Sequence, residues 1–346
     1  MRVALGLKVA AAVLFVSLAS FASAQQLGQL ERIKVLGPSL QGNLSGDDAL
    51  RDVSVYLPPS YASSPERRYP VIYLLHGYTD SDERWFGLVG NHFVNVPNAV
   101  DDAWRNGAAE MIIVMPNAFT RFQGSMYSNS VVTGDWESYV AKDLVAYIDY
   151  HYRTIADRDS RGLAGHSMGG YGTMRIGMKY PDVFAALYAM SPCCMGANLH
   201  PAVEQYAEAL AITSDEQLRA ASFGGKAALA SAAVWSPNPD NPPFYVDLPV
   251  ANGEVQEDVV AKWVANAPLV FAHQYIAQLK SFEEIYIDAG DRDAGIAQTV
   301  REMDSILSSY GVRHWSEIYS GDHVDGIHER LTTHLMPMFS EVLEQE

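Results

Sequence analysis

The sequence predicts an α/β protein built on a mostly parallel central sheet, and three observations carry that prediction. Apolar runs of strand length recur along the chain, helical patterns fall between them, and the later runs end in Gly, Pro, Asn or Ser. Continuous apolarity is what a strand needs when both of its faces are covered. Alternation of strand and helix implies right-handed crossovers returning to one sheet.

Taken in order, the chain begins with Arg2, Lys8, the apolar stretch "VAAAVLFVSLASFA" and then Ser23 and Ala24 before a polar "QQ". A positive start, a short apolar run and small residues at the end are the layout of a secretory signal peptide. The run is shorter than the ~20 residues a bilayer span needs. A leader over 1–24 is therefore expected, with the mature chain starting near Gln25 as one domain, secreted or periplasmic. The runs "IKVL" (33–36) and "VSVYLP" (53–58), joined by short polar connections, predict an antiparallel entry edge.

The remaining strands are read at "YPVIYLLHG" (69–77), "MIIVMPN" (111–117), "RGLAGHS" (161–167), "FAALYAMSP" (184–192), "EEIYIDAG" (283–290) and "HWSEIYSG" (314–321). Helical patterns cover 136–152, 168–180, 259–279, 296–310 and 326–343, the second closed by Pro181. Asp135 stands where a capping residue belongs, just before Trp136. Between "AMSPCCMG" and the pattern at 259 the rhythm breaks for about sixty residues. Long insertions in compact domains are commonly lids or binding loops, so 198–257 is read as a cap over one end of the sheet.

A formal net charge of −17 argues against nucleic acid or an anionic membrane as partner, since both attract clustered Lys and Arg. The only two cysteines, Cys193 and Cys194, are neighbours. Adjacent residues can pair only through a strained ring, so buried free thiols at a strand end are expected. With no HExxH or CxxC pattern, no metal site is expected.

The chemistry centres on "GLAGHSMGGYG" (162–172), in which Gly165 to Gly169 fit G-x-S-x-G. The motif alone is weak. Its context is stronger, because Ser167 follows an apolar strand and opens an amphipathic helix, the strand–turn–helix setting of a nucleophile elbow. There the serine is forced into a strained conformation, and side chains at Gly165 or Gly169 would collide with neighbouring backbone.

A serine hydroxyl needs a base to take its proton and a third group to orient that base. In the α/β-hydrolase order both follow the serine, each after a later strand. Asp288, Asp291 and Asp293 follow "EEIYI". Asp288 still belongs to the strand, and Asp293 is favoured, leaving the others as helix caps. His323 lies in the loop "GDHVDG", whereas His314 begins a strand and His328 and His334 fall within the last helical pattern. Donors for an oxyanion are assigned to the backbone N–H of Met168, at a helix N-terminus, and of Tyr78, after Gly77. Trp85, Tyr127 and Asn129 lie beyond strands whose C-terminal ends face the serine and are candidates for substrate contact.

The stretches "YLLHGYTD", "MPNAFTRFQGSMYSNS", "DWESYVAKDLVAYIDYHYRTI", "GLAGHSMGGYGTMRIGMKYPDVFAALYAMSP" and "GDHVDGIHERL" resemble the esterase D family of α/β-hydrolases. That family includes S-formylglutathione hydrolases, feruloyl and acetyl-xylan esterases, enterochelin-type esterases and secreted mycolyltransferases. The resemblance covers most of 53–192 and 283–335. It places the nucleophile on Ser167, the acid of a GxxD motif on Asp293 and the histidine of a GxH motif on His323. It implies a cofactor-free ester hydrolase acting through an acyl-enzyme, with acyl or feruloyl esters of carbohydrates as a substrate class suited to export. An acyltransferase using the same three residues is the alternative. A cytosolic thioester hydrolase is disfavoured by the leader, and a non-catalytic binding protein by the presence of all three residues. The segment 198–257 matches no particular subfamily.

Overall fold

The structure, a computed structural model, describes residues 27–346. The leader expected over 1–24 lies outside the described residues. Eight strands form the main sheet: β1 (Gln29–Leu36), β2 (Leu50–Leu57), β3 (Val71–Leu75), β4 (Ile112–Pro116), β5 (Arg161–His166), β6 (Ala186–Met190), β7 (Glu284–Gly290) and β8 (Trp315–Tyr319). Their spatial order is β1-β2-β4-β3-β5-β6-β7-β8. β1 pairs antiparallel with β2 from Gln29↔Leu57 to Leu36↔Leu50, and β2 pairs antiparallel with β4. Every other neighbour is parallel. This is the α/β-hydrolase fold. β1 extends four residues earlier than its apolar run, because an edge strand is set by its ladder and half its residues face water.

Helices cover both faces, so β3, β4, β5 and β6 are buried along their whole length. In β3, Val71, Tyr73 and Leu75 face the cluster that holds Tyr139, Leu144, Ile148 and Met174, while Ile72 and Leu74 face the one that holds Val96, Val100, Leu335 and Phe339. The alternation follows from the two-residue period of the strand. The layers are α1 (Val96–Arg105), α2 (136–151, with a π turn at Tyr139–Leu144), α3 (Met168–Lys179), α4 (Phe223–Trp235), α5 (Glu257–Ala265), α6 (Ala294–Ser309) and α7 (327–342, with a π turn at Leu331–Leu335).

Two helical readings change. α1 was not read from the sequence, although the Asn95 side chain caps it by accepting from the Asn98 N–H at 3.0 Å. The pattern over 259–279 is not one helix but α5 followed by the short turns Pro268–Phe271, Ala272–Gln274 and Ile276–Leu279. Pro268 has no N–H to continue α5 and pushes Ala267 into extended backbone, φ −80° and ψ 121°.

The interval 198–257 forms short helices, α4 and a two-strand ribbon, Val250–Ala251 with Glu254–Val255. Leu218, Leu229, Ala233, Phe244 and Val246 cluster there with Phe122 and Val132 of the main body. Arg121 binds Asp215 at 2.7 Å and the Pro243 carbonyl at 3.0 Å, and Ser130 Oγ donates to the Ala233 carbonyl at 2.5 Å. These contacts seat the interval on the loops that leave β4.

Candidate active site

The order of the sheet reverses around β3, where the chain has gone outward to β4 on one side and β5 on the other. Crevices at such switch points, at the C-terminal ends of the strands, are where open α/β sheets bind ligands. Gly77 and Tyr78 leave β3 there, and Ser167 leaves β5.

Ser167 joins β5 to α3 with φ 58° and ψ −115°, a region that a non-glycine residue occupies only under constraint. Its N–H donates to the Met190 carbonyl at 3.0 Å, and its carbonyl accepts from the N–H groups of Tyr171 at 3.0 Å and Cys193 at 3.1 Å. The flanking glycines make the turn possible. A Cβ on Gly165 would sit 2.4 Å from the Gly169 carbonyl carbon, and one on Gly169 would sit 2.0 Å from the Leu75 carbonyl oxygen. At Gly77 the approach is looser, with a Cβ 3.4 Å from that of Ser167.

Ser167, His323 and Asp293 come together in one hydrogen-bonded chain. His323 Nε2 lies 2.9 Å from Ser167 Oγ, and His323 Nδ1 lies 2.5 Å from Asp293 Oδ2. An ionised carboxylate can only accept, so Nδ1 carries the hydrogen and Nε2 is left to accept from the serine hydroxyl. Asp293 occupies the N-cap position of α6 yet makes no side-chain cap bond, because its carboxylate is turned to the imidazole.

The other acids and bases are engaged elsewhere. Asp288 is buried, accepting from the Tyr188 hydroxyl at 2.6 Å and Arg330 Nε at 2.8 Å, and its burial raises its pKa above the usual carboxylate range. Asp291 accepts from the Gly321 N–H at 3.1 Å. His314 pairs with Asp304 at 3.0 Å and His328 with Asp102 at 3.2 Å, while His334 Nδ1 lies 2.8 Å from Thr333 Oγ1.

Met168 follows Ser167 directly, and Tyr78 follows Gly77 at the end of β3. Met168 opens α3, so its N–H has no intrahelical acceptor. The Tyr78 N–H makes no hydrogen bond to any of the described residues, and the Tyr78 hydroxyl is held away by donating to the Phe122 carbonyl at 2.9 Å.

Two further histidines had not been singled out from the sequence. His166 Nε2–H donates to the His323 carbonyl at 2.7 Å, tying the end of β5 to the loop that carries His323. Burial and the neighbouring His323 press its pKa down to about 3, so its ring is neutral. Under β3, His76 Nδ1–H donates to the Gly77 carbonyl at 2.8 Å and Nε2 accepts from the Ala118 N–H at 2.8 Å, with burial lowering its pKa. Their positions, one beside the motif serine and one before Gly77, were the available signal.

The candidates for substrate contact need correction. Trp85 is 0% exposed, its Nε1–H donating to Asp80 at 2.7 Å and its ring 5.8 Å from that of His166. Tyr127 is also 0% exposed, stacked edge-on against Trp136 beneath Gly172. Both are packing residues that support the site from below rather than line it. Asn129 is exposed on a two-residue ribbon with Asp135, and its N–H donates to Glu137 at 3.2 Å. Asp135 caps the helix at Trp136 by accepting from the Ser138 N–H at 3.0 Å. Among the described residues no group of three His, Cys, Asp or Glu side chains is placed to hold a metal ion.

Residues 48–330 match the family model described as "Putative esterase". The chain belongs to that esterase family. An esterase of Mycobacterium tuberculosis strain H37Rv is 35% identical over 139 residues, which are 39% of this chain and 27% of that protein. An endo-1,4-beta-xylanase/feruloyl esterase of Xylanibacter ruminicola is 28% identical over 138 residues, 39% of this chain and 18% of that protein. The chain thus matches about a quarter or less of the length of these curated relatives. Among solved structures, a ferulic acid esterase superposes with a TM-score of 0.65 at 22% identity, covering 92% of this chain and 100% of the other. An S-formylglutathione hydrolase from Agrobacterium tumefaciens gives 0.57 at 17% identity, covering 92% and 97%. At these identities the structural likeness speaks for the fold.

Proposed function

We propose that this chain is an exported serine carboxylic ester hydrolase that works through an acyl-enzyme on Ser167. The observation that carries this reading is the chain of contacts from Ser167 Oγ to His323 Nε2 and from His323 Nδ1 to Asp293 Oδ2. Ser167 Oγ attacks the ester carbonyl while His323 Nε2 takes its proton. Asp293 fixes the ring and stabilises the imidazolium. The N–H groups of Met168 and Tyr78 receive the oxyanion, each worth roughly 3 kcal/mol in the transition state. His323 then protonates the departing alcohol, and water repeats the sequence on the acyl-serine to release the acid.

Export rests on the leader at 1–24, and no helix among the described residues is long and apolar enough to cross a membrane. The relative from Xylanibacter ruminicola, an endo-1,4-beta-xylanase/feruloyl esterase, supports acyl or feruloyl esters of carbohydrates as the substrate class.

The test is hydrolysis of p-nitrophenyl esters from acetyl to decanoyl, and of methyl ferulate, by the mature protein, with product analysis in the presence of a sugar acceptor. Release of free acid, with methyl ferulate among the substrates, is expected. Acyl-sugar as the dominant product would replace hydrolysis by acyl transfer, and inertness toward every ester would overturn the reading.

A further inference from the structure

The two cysteines do not pack as inert core residues. Both are thiols and only partly buried, against the expectation of burial. They sit on the turn between β6 and the cap, in direct contact with the elbow. The Cys193 N–H donates to the Ser167 carbonyl at 3.1 Å. Cys194 Sγ lies 2.8 Å from Cys193 Sγ. Beyond it, Cys194 lines a cavity of about 250 Å³ walled by Tyr206, Ser231, Trp235 and Trp263 under the cap. The turn is held in left-handed backbone at Ser191, φ 40°, and Cys194, φ 60°. Ser167 chemistry as proposed above assigns no role to either sulfur.

We propose that Cys193 and Cys194 form a reversible dithiol–disulfide site, closed by small organic disulfides, that controls the reactivity of Ser167. The inference rests on the reading of Ser167 as a nucleophile. The geometry orders the steps. Cys194 faces the cavity and meets the reagent first. The hydrogen bond shared with Cys194, and then desolvation, hold the Cys193 thiol well above its ordinary pKa, so Cys193 keeps its proton and the first attack falls to Cys194. The Cys194 thiolate attacks a small disulfide R–S–S–R, forming Cys194–S–S–R and releasing R–S⁻. Cys193, losing its proton, then attacks the Cys194 sulfur and expels the second R–S⁻. Two protein thiols are oxidised to one disulfide, and one R–S–S–R is reduced to two R–SH. A ring between neighbours is strained, and strained disulfides are the readily reduced, labile ones. Closure twists the residue whose N–H holds the Ser167 carbonyl.

The experiment treats the reduced mature protein, and the Cys194→Ser variant, with 2-hydroxyethyl disulfide. Intact mass reports ring closure, and the rate of Ser167 labelling by a fluorophosphonate reports reactivity. Each protein is compared with itself before oxidation and after reduction by dithiothreitol. The wild type is expected to lose two hydrogens with no retained adduct and to label about tenfold more slowly, recovering on reduction. Cys194→Ser is expected to form no ring and to show no such slowing. Two thiols surviving in the treated wild type would overturn the proposal, and so would a closed ring with unchanged labelling. A reduced protein that labels nowhere would sink the reading of Ser167 itself, and with it the control, while the mass would still show whether the ring closes.

Discussion

Replacing Asp293 by Asn keeps the size of the side chain and changes only what it presents to His323. In the wild type, Asp293 Oδ2 accepts from Nδ1–H at 2.5 Å, leaving Nε2 to face Ser167 Oγ at 2.9 Å. An amide nitrogen turned toward Nδ1 is itself a donor, so the imidazole moves its hydrogen to Nε2, where it points at the serine hydroxyl and cannot take a proton. No nearby acid substitutes, because Asp288 is held by Arg330 and Tyr188 and Asp291 by the Gly321 N–H. A wrong tautomer in this type of constellation lowers kcat about 10⁴-fold, which is about 5 kcal/mol of barrier. The assay is kcat/KM on p-nitrophenyl acetate for Asp293→Asn and Asp291→Asn, alongside thermal unfolding of both. Asp293→Asn is expected to lose about four orders of magnitude with little change in Tm, and Asp291→Asn less than about tenfold. A loss below tenfold in Asp293→Asn, or a larger loss in Asp291→Asn, would refute the orienting role.

Two further outcomes follow from packing and burial. Gly169→Ala would drive a methyl group to 2.0 Å from the Leu75 carbonyl, which is backbone and cannot swing aside. A destabilisation of about 3 kcal/mol or more is expected by denaturant titration, together with loss of esterase activity. An alanine variant as stable as wild type would show that α3 is not held against β3 as described. His166, with a pKa pressed from 6.5 to about 3 by burial and by His323, binds fewer protons folded than unfolded across that window. Its contribution to stability is complete above pH 6.5 and is lost as pH falls toward 3. His76 is shifted in the same direction. Thermal unfolding of His166→Gln should therefore decline less between pH 7 and 4 than that of the wild type, and an identical slope would contradict the assignment.

Much of the fold was legible because the sheet is covered on both faces, so "VIYLL" and "IIVMP" read as continuous apolar runs. The order of Ser167, Asp293 and His323 was legible for a different reason, since each falls in the loop that ends a recognisable strand. Among the aspartates the sequence favours Asp293, and in the structure Asp293 turns to the imidazole instead of capping its helix. The break at Pro268 was visible as a proline inside a periodic run, but apolar spacing continued across it and masked the change of direction. α1 shows its apolar stripe at Val96, Ala99, Val100 and Ala103, and Pro97 disguised it as a loop although proline is well tolerated in a first turn. Trp85 and Tyr127 mark the limit of position alone. A large aromatic residue in a loop beyond a strand serves a pocket or the packing beneath it, and only the neighbours distinguish the two.

The measurement that most directly tests the central claim is mass spectrometry of the acyl-enzyme, trapped by rapid acid quench during turnover of a p-nitrophenyl ester. An acyl adduct is expected on the peptide containing Ser167 and none in Ser167→Ala, with a fall in turnover of that variant on the order of a thousandfold or more. An adduct on another residue, or a Ser167→Ala variant that still hydrolyses the ester at the wild-type rate, would contradict it.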